Sequence, residues 1–302
     1  MIKNVFITAC LRKDYLPRMI ETLYEYTPHN FKLIVVDQTL EGIGDMKGVH
    51  LTLRPHRNLG FSKAMNEGII HALHWNSEYV TCINDDVELI NKKWWDGIMD
   101  VFKMESTKEI LIAAPESPRI PLWGYGDTEG NYVEVLPLEK ARTEEGYQYL
   151  LKGDFSDVKT RYPNLPASFP DNYVGVCDAM AAWCPVFKRK ALTEIGLWDE
   201  RFYPSSGEDY DLMGRIYNKN YRAVSTRGSW VWHWWGGSQD NKDIIAKTGL
   251  PIEPERGWNH LGDLWPPELN EGNNLDVWGW YTSKDGTRKP FKRVPEVYVE
   301  EI

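Results

Sequence analysis

YVTCINDDVELI, residues 79–90, is the stretch on which the fold turns. YVTCI (79–83) is short, apolar and β-branched, as a buried strand is. It stops abruptly at Asn84, Asp85 and Asp86. Working outward, GFSKAMNEGIIHALHW (60–75) precedes it, with Phe61, Ala64, Met65, Gly68, Ile69 and Ala72 at helical spacing. KKWWDGIMDVFKM (92–104) follows as a second helix and EILIAAP (109–115) as a further strand. Upstream lie the strand runs NVFITA (4–9), FKLIVVD (31–37) and VHLTL (49–53). The helix DYLPRMIETLYEY (14–26) sits among them, with Leu16, Ile20, Leu23 and Tyr24 on one face. FKLIVVD is almost continuously apolar, as expected of a parallel strand covered on both faces. Alternating strands and helices imply an α/β, Rossmann-like, mostly parallel sheet flanked by helices. Ligands bind such sheets beyond the carboxyl ends of the strands, where Asp37, Asp85 and Asp86 fall.

Residues 115–172 interrupt this alternation with Pro, Gly and acidic residues. DTEGN (127–131) reads as a hairpin turn and LEKARTEEGYQYLLK (138–152) as a polar helix. Regular signals resume with DAMAAWCPVFKRKALTEIG (178–196), a helix over 207–219, and the strands YRAVS (221–225) and SWVWHW (229–234). After Gly236 no periodicity is sustained. We therefore expect one domain over 1–236, with 115–172 as an insertion, and an irregular Trp-rich extension over 237–302 packed upon it.

Three constellations could carry chemistry. Asp85 and Asp86 repel one another unless a cation lies between or beside them, and Mg²⁺ commonly takes one or two carboxylates plus phosphate oxygens. A solvated acidic turn capping the next helix reads equally well from these residues alone. Glu208 and Asp209 open a helix, where the macrodipole favours an anion. Either could act as a general base, or both could be a charged cap. His233, in VWHWW, could be a packed histidine or a ligand for an ion such as Mn²⁺. A fourth stretch, Asn58 to Gly68, pairs Asn and Gly eight residues apart. Asn66 and Gly68 are poor helix formers within a helix, so close helix–strand approach or hydrogen bonding must favour them.

The net charge of −9, from 35 Lys plus Arg against 44 Asp plus Glu, disfavours generic polyanion binding. RPHRN (54–58) is a short basic cluster that could face phosphate or solvent. The N-terminus lacks a signal-peptide pattern, and no run approaches the ~18 apolar residues of a membrane span. Cys10, Cys82, Cys177 and Cys184 lack zinc spacing, so the chain reads as reduced and cytoplasmic. Of 14 Trp, eight lie between Trp230 and Trp280. On a strand, Trp230, Trp232 and Trp234 would share the face opposite Val231 and His233.

In order along the chain, VVDQT (35–39), NLGFSKAMNEGI (58–69), CINDDVELI (82–90) and GEDYDLMGRIYNKNYRAV (207–224) with its following His resemble a GT-A fold glycosyltransferase. The resemblance is to the family 2, inverting enzymes, over about residues 3–236. It implies a hexosyl- or pentosyltransferase using a nucleotide-sugar donor, UDP-linked, and Mn²⁺ or Mg²⁺. Asp37 would bind the uracil or ribose, with Thr8, Arg12, Asn58 and Lys63 completing the donor side. Asp86, last of a DxD-like triplet whose first position is Asn84, would hold the metal together with His233. Asp85 would contact sugar or ribose, or assist the metal. Asp209 would be the catalytic base and Glu208 would position the acceptor. The acceptor would carry a free hydroxyl: a glycan, a protein, a small molecule or a modified nucleobase. A retaining GT-A enzyme, or a carbohydrate-binding relative without turnover, shares these features. Nucleotidyl transfer does not fit, because the loop TACLRKDYLP (8–17) lacks the glycines of a phosphate-cradling nest.

Overall fold

Alternate residues of the first two strands bury on opposite faces, and this sets the layers. In β1 (Asn4–Cys10) and β2 (Phe31–Asp37), Val5, Ile7, Ile34 and Val36 enter one core cluster, and Phe6, Leu33 and Val35 enter another. A sheet buried on both faces is what a near-continuous apolar strand demands. The computed structural model describes residues 2–104, 108–117, 143–152, 160, 176–177, 180, 182–234, 260, 275–276 and 279–280.

The first core is closed by α2 (Gly60–His74), α5 (Arg189–Glu194) and α6 (Glu208–Asn218), the second by α1 (Leu16–Tyr26) and α3 (Lys93–Lys103). A further helix, α4 (Glu144–Lys152), lies in the sequence insertion. α1 begins with Pro in its first turn and buries Leu16, Met19, Ile20 and Leu23. Tyr24, expected on that face, is instead 48 % exposed, and its hydroxyl donates to Gly48 O at 2.9 Å. A helix face one residue too wide meets solvent, and an aromatic with a polar tip tolerates that edge.

The main sheet runs β3 (Leu51–Leu53), β2, β1, β4 (Tyr79–Cys82), β8 (Val186–Lys188), β6 (Ile110–Glu116), β9 (Arg222–His233) and β5 (Val87–Leu89), with β7 (Val176–Cys177) also paired to β9. β3, β2, β1 and β4 are parallel neighbours, as are β6 and β9. β8 enters antiparallel between β4 and β6, while β5 and β7 run antiparallel to β9. One half of the sheet is thus parallel and the other mixed. The reversed β8 has a consequence. Its leading loop crosses the carboxyl edge of β4, where Asn84 N donates to Trp183 O at 2.9 Å and Cys82 N to Pro185 O at 3.1 Å.

YRAVS and SWVWHW form one strand rather than two. β9 passes through Arg227 and Gly228 with a register irregularity against Pro115 and Glu116. Gly228 serves packing there, since a Cβ on Gly97 of α3 would collide with its carbonyl. Gly68 has the same origin: a Cβ would run into the Ile7 side chain, so α2 lies close on β1. Asn66 answers to hydrogen bonding, donating to Trp198 O (2.9 Å) and accepting from Trp198 N (3.0 Å).

DTEGN, the start of the expected 138–152 helix and most of 237–302 lie outside the described residues. In the extension, β10 (Leu275–Asp276) and β11 (Gly279–Trp280) pair antiparallel, and the His260 ring packs on Phe202 at 4.8 Å. Among the described residues no helix is long and apolar enough to cross a membrane. Cys10, Cys82 and Cys184 are buried free thiols.

Candidate active site

β4 ends at Cys82, and the chain turns through Asn84, Asp85 and Asp86 into β5. The pairing of β5 with the end of β9 sets Val87 opposite His233. Asp86 Oδ1 therefore lies 3.1 Å from His233 Nε2, both side chains about nine-tenths buried. Asn84 Nδ2 is 3.5 Å from the same nitrogen, and Trp234 N donates to Asp86 O at 3.0 Å. Strand alternation sorts the aromatic run: His233 faces Asp86 and the Trp183 ring, while Trp232 and Trp234 pack with Tyr147.

Asp85 turns the other way. Its Oδ2 accepts the consecutive N–H groups of Leu11 (3.0 Å) and Arg12 (3.1 Å) and so shapes the β1–α1 loop. Burial, and then the neighbouring Asp86 charge, push its carboxyl upward. Burial also works against an ionised Asp86, but His233 and the Arg12 guanidinium outweigh it and hold its carboxyl below the ordinary range. Two adjacent carboxylates are thus driven apart by their surroundings.

Asp86 and His233 fit a divalent ion. Their Oδ1 and Nε2 are in direct contact at 3.1 Å, and a carboxylate oxygen and an imidazole nitrogen are donors that an ion such as Mn²⁺ accepts. Among the described residues no third His, Cys, Asp or Glu joins them. Further ligands would come from substrate oxygens or water, as is usual for Mg²⁺-type sites.

At the head of α6, Ser206 and Gly207 both take positive φ (86° and 87°), a tight entry that presents Glu208 and Asp209 at the helix N-terminus. Glu208 is buried with Oε2 lacking a hydrogen-bond partner, and burial followed by the Asp209 charge raises its pKa. Asp209 is partly buried and also raised by burial, against the N–H groups of Tyr210 (3.0 Å) and Ala182 that favour its charge. Asp211, by contrast, is fully buried against Arg215 Nε at 2.8 Å, and Arg215 also donates to Ile195 O and Leu197 O. Its work is structural. The Ala182–Trp183 loop joins the two acidic groups: Ala182 N reaches Asp209, and Trp183 O accepts from Asn84.

The other expected donor-side residues are dispersed along this edge. Asp37 is 2 % exposed and already holds four donors. These are Arg54 at 2.6 Å, Thr39 through N and Oγ1, and Ile43 N. Asn58 Oδ1 caps the N–H of Gly60 at 2.8 Å. Lys63 pairs with Glu200 at 2.8 Å on an exposed surface. Thr8 is completely buried within β1. Arg54 was visible in the sequence only as part of a basic cluster. Glu88 and Trp183 gave no signal, because their partners lie far away in the chain.

Residues 4–108 match the family model described as Glycosyl transferase family 2. A galactofuranosyl glycosyltransferase of Leishmania donovani is 22 % identical over 215 residues, covering 65 % of this chain and 47 % of that protein. The chain therefore spans about half the length of this curated relative. The mannosyltransferase PcManGT of Pyrobaculum calidifontis, solved with GDP-Man and Mn²⁺, superposes with a TM-score of 0.51 at 11 % identity, over 86 % of this chain and 69 % of that one. GalNAc-T7, solved with UDP, GalNAc and Mn²⁺, gives 0.51 at 14 % identity, over 86 % and 54 %. The stretch from β1 to α3, with the Asp85–Asp86 turn, thus matches the glycosyl transferase family 2 model, within a fold similar to that of GT-A glycosyltransferases.

Proposed function

We propose that this chain is a metal-dependent glycosyltransferase that moves a sugar from a nucleotide-sugar donor, UDP-linked, to an acceptor hydroxyl with inversion. One observation carries the reading: Asp86 and His233 converge at 3.1 Å on the carboxyl edge, and one loop joins their turn to Asp209. The two superposed structures were solved with GDP-Man and Mn²⁺ and with UDP, GalNAc and Mn²⁺, which supports a metal and a nucleotide-linked donor.

Asp86 and His233 would hold Mn²⁺ or Mg²⁺, which supplies Lewis-acid neutralisation of the departing diphosphate. The protein's own groups do the rest. Asp85 organises the β1–α1 loop and brings Arg12 to the same edge. Arg12 meets phosphate charge. Asp209 accepts the acceptor hydroxyl proton as the new bond forms at the anomeric carbon. Its raised pKa suits a base working near neutrality. Glu208, beside it and more readily protonated, orients the acceptor by hydrogen bonding. Asp37 holds Arg54 and the 38–43 loop in shape, so its influence on the nucleoside end passes through that loop.

The test is the anomeric configuration of the first sugar released or transferred, read by proton NMR before mutarotation. Inversion relative to the donor supports Asp209 as base. Retention removes that role and leaves the metal pair standing.

A further inference from the structure

Beside the Asp86–His233 pair, on the other face of β5 and β9, runs a column of alternating rings and guanidinium groups. The Arg12 guanidinium sits over the Tyr15 ring at 4.9 Å. Tyr15 stacks on Trp234, with centroids 6.2 Å apart and planes at 27°. Arg18 lies over Trp234 at 4.8 Å and over Tyr147 of α4 at 5.3 Å. The column is pinned by Glu88, a carboxylate only 2 % exposed. Glu88 accepts from Arg18 Nε at 2.8 Å and from Trp234 Nε1 at 2.6 Å. It also hydrogen-bonds to Tyr147. A buried carboxylate is retained only when its donors satisfy it, so these partners are held in place together.

The column meets the acidic turn at two points, Arg12 at its end and Trp234 at its middle. Trp234 N donates to Asp86 O at 3.0 Å, and Arg12 N donates to Asp85 Oδ2 at 3.1 Å. The Arg12 guanidinium also meets Asp14 Oδ2 at 3.4 Å, and a long side chain at a loop loses conformational entropy on being fixed against an anion. A ring against the guanidinium face removes part of that cost in advance.

We propose that Tyr15 is a positioning residue for Arg12: stacked on Trp234, which Glu88 and Arg18 hold, it presets the guanidinium for the diphosphate of the donor. This rests on the reading of the edge as a nucleoside-diphosphate site. It also links donor binding to the docking of α4, since Tyr147 shares the Glu88 anchor.

The experiment is a double-mutant cycle on equilibrium binding of UDP with Mn²⁺, followed by calorimetry, with no turnover required. Tyr15→Leu keeps bulk without a ring, Tyr15→Phe keeps the ring, and Arg12→Ala removes the cation. We expect Arg12→Ala to weaken binding at least 10-fold and Tyr15→Leu about 3- to 10-fold. Tyr15→Phe should restore binding to within about 2-fold of wild type. Adding Tyr15→Leu to Arg12→Ala should cost nothing further, because coupled residues are non-additive. Wild-type binding with fully additive losses, or equal losses for the Leu and Phe variants, overturns the positioning role alone. Failure of the wild type to bind UDP, GDP or any other nucleoside diphosphate with Mn²⁺ overturns the donor-site reading and this inference with it.

Discussion

Asp86, Asp209 and Glu208 are three carboxylates that their surroundings push two ways, Asp86 downward and the other two upward. Asp86 is held ionised by His233 and Arg12. Substituting Asp86→Ala should therefore remove the carboxylate facing His233 and weaken Mn²⁺-dependent nucleotide binding by 10-fold or more, measured by calorimetry. Asp209 is raised by burial, so its loss of charge on acidification begins above the ordinary carboxylate value of about 4. Turnover should rise with pH through a limb lying above that value. Asp209→Asn should abolish turnover and leave donor affinity within about 3-fold. An acid limb at the ordinary value would show that the base is an exposed group elsewhere. Glu208 bears on stability as well. Its folded pKa is raised, so between about pH 4.5 and that higher value the folded state binds more protons than the unfolded one. Stability should fall as pH rises across that window. The melting temperature of Glu208→Gln should gain on wild type from pH 5 to pH 8, and a constant difference would contradict a buried, raised Glu208.

At the level of elements, small residues mark where layers approach most closely. Gly97 of α3 faces the backbone of Gly228 in β9, and a carbonyl cannot move aside as a flexible side chain can. Gly97→Ala gains up to about 1 kcal/mol in helix propensity, but the overlap should cost about 1–3 kcal/mol. A lower urea midpoint is expected, and an unchanged or higher midpoint would mean the two elements can separate freely. The periodicity of α1, α2 and α3 was readable because each buries one stripe, and the runs NVFITA and FKLIVVD because both their faces are covered. β8 was not readable as a strand. Three residues carry no period, and its antiparallel entry is decided by pairing with Tyr79–Thr81 and Ile112–Ala113, more than seventy residues upstream. The break expected at Arg227–Gly228 failed for a related reason: glycine there answers to Gly97, not to a turn.

Over the whole molecule, the acidic turn, the Asp209 helix and His233 were legible as a set because each sits where an element ends, and the sheet's carboxyl edge gathers such ends. What joins them was not legible. Asp37 reads as an open ligand-binding carboxylate until Arg54, Thr39 and Ile43 are seen to occupy it. Glu88 reads as one more charge on a strand until Trp234, 146 residues away, is found on it. The eight late tryptophans likewise divide. Trp232 and Trp234 build the wall beside the Asp86–His233 pair, while Trp258, Trp265 and Trp278 lie outside the described residues. The proposed transferase activity requires that Asp86 and His233 bind metal together with a nucleotide-linked sugar. A thermal-shift panel of nucleotide sugars, with and without Mn²⁺, on wild type and Asp86→Ala measures this, because a ligand that binds the folded state raises its melting temperature. At least one donor should stabilise wild type only when Mn²⁺ is present, and should leave Asp86→Ala unmoved. Stabilisation that is equal without the metal, or equal in Asp86→Ala, would contradict the account.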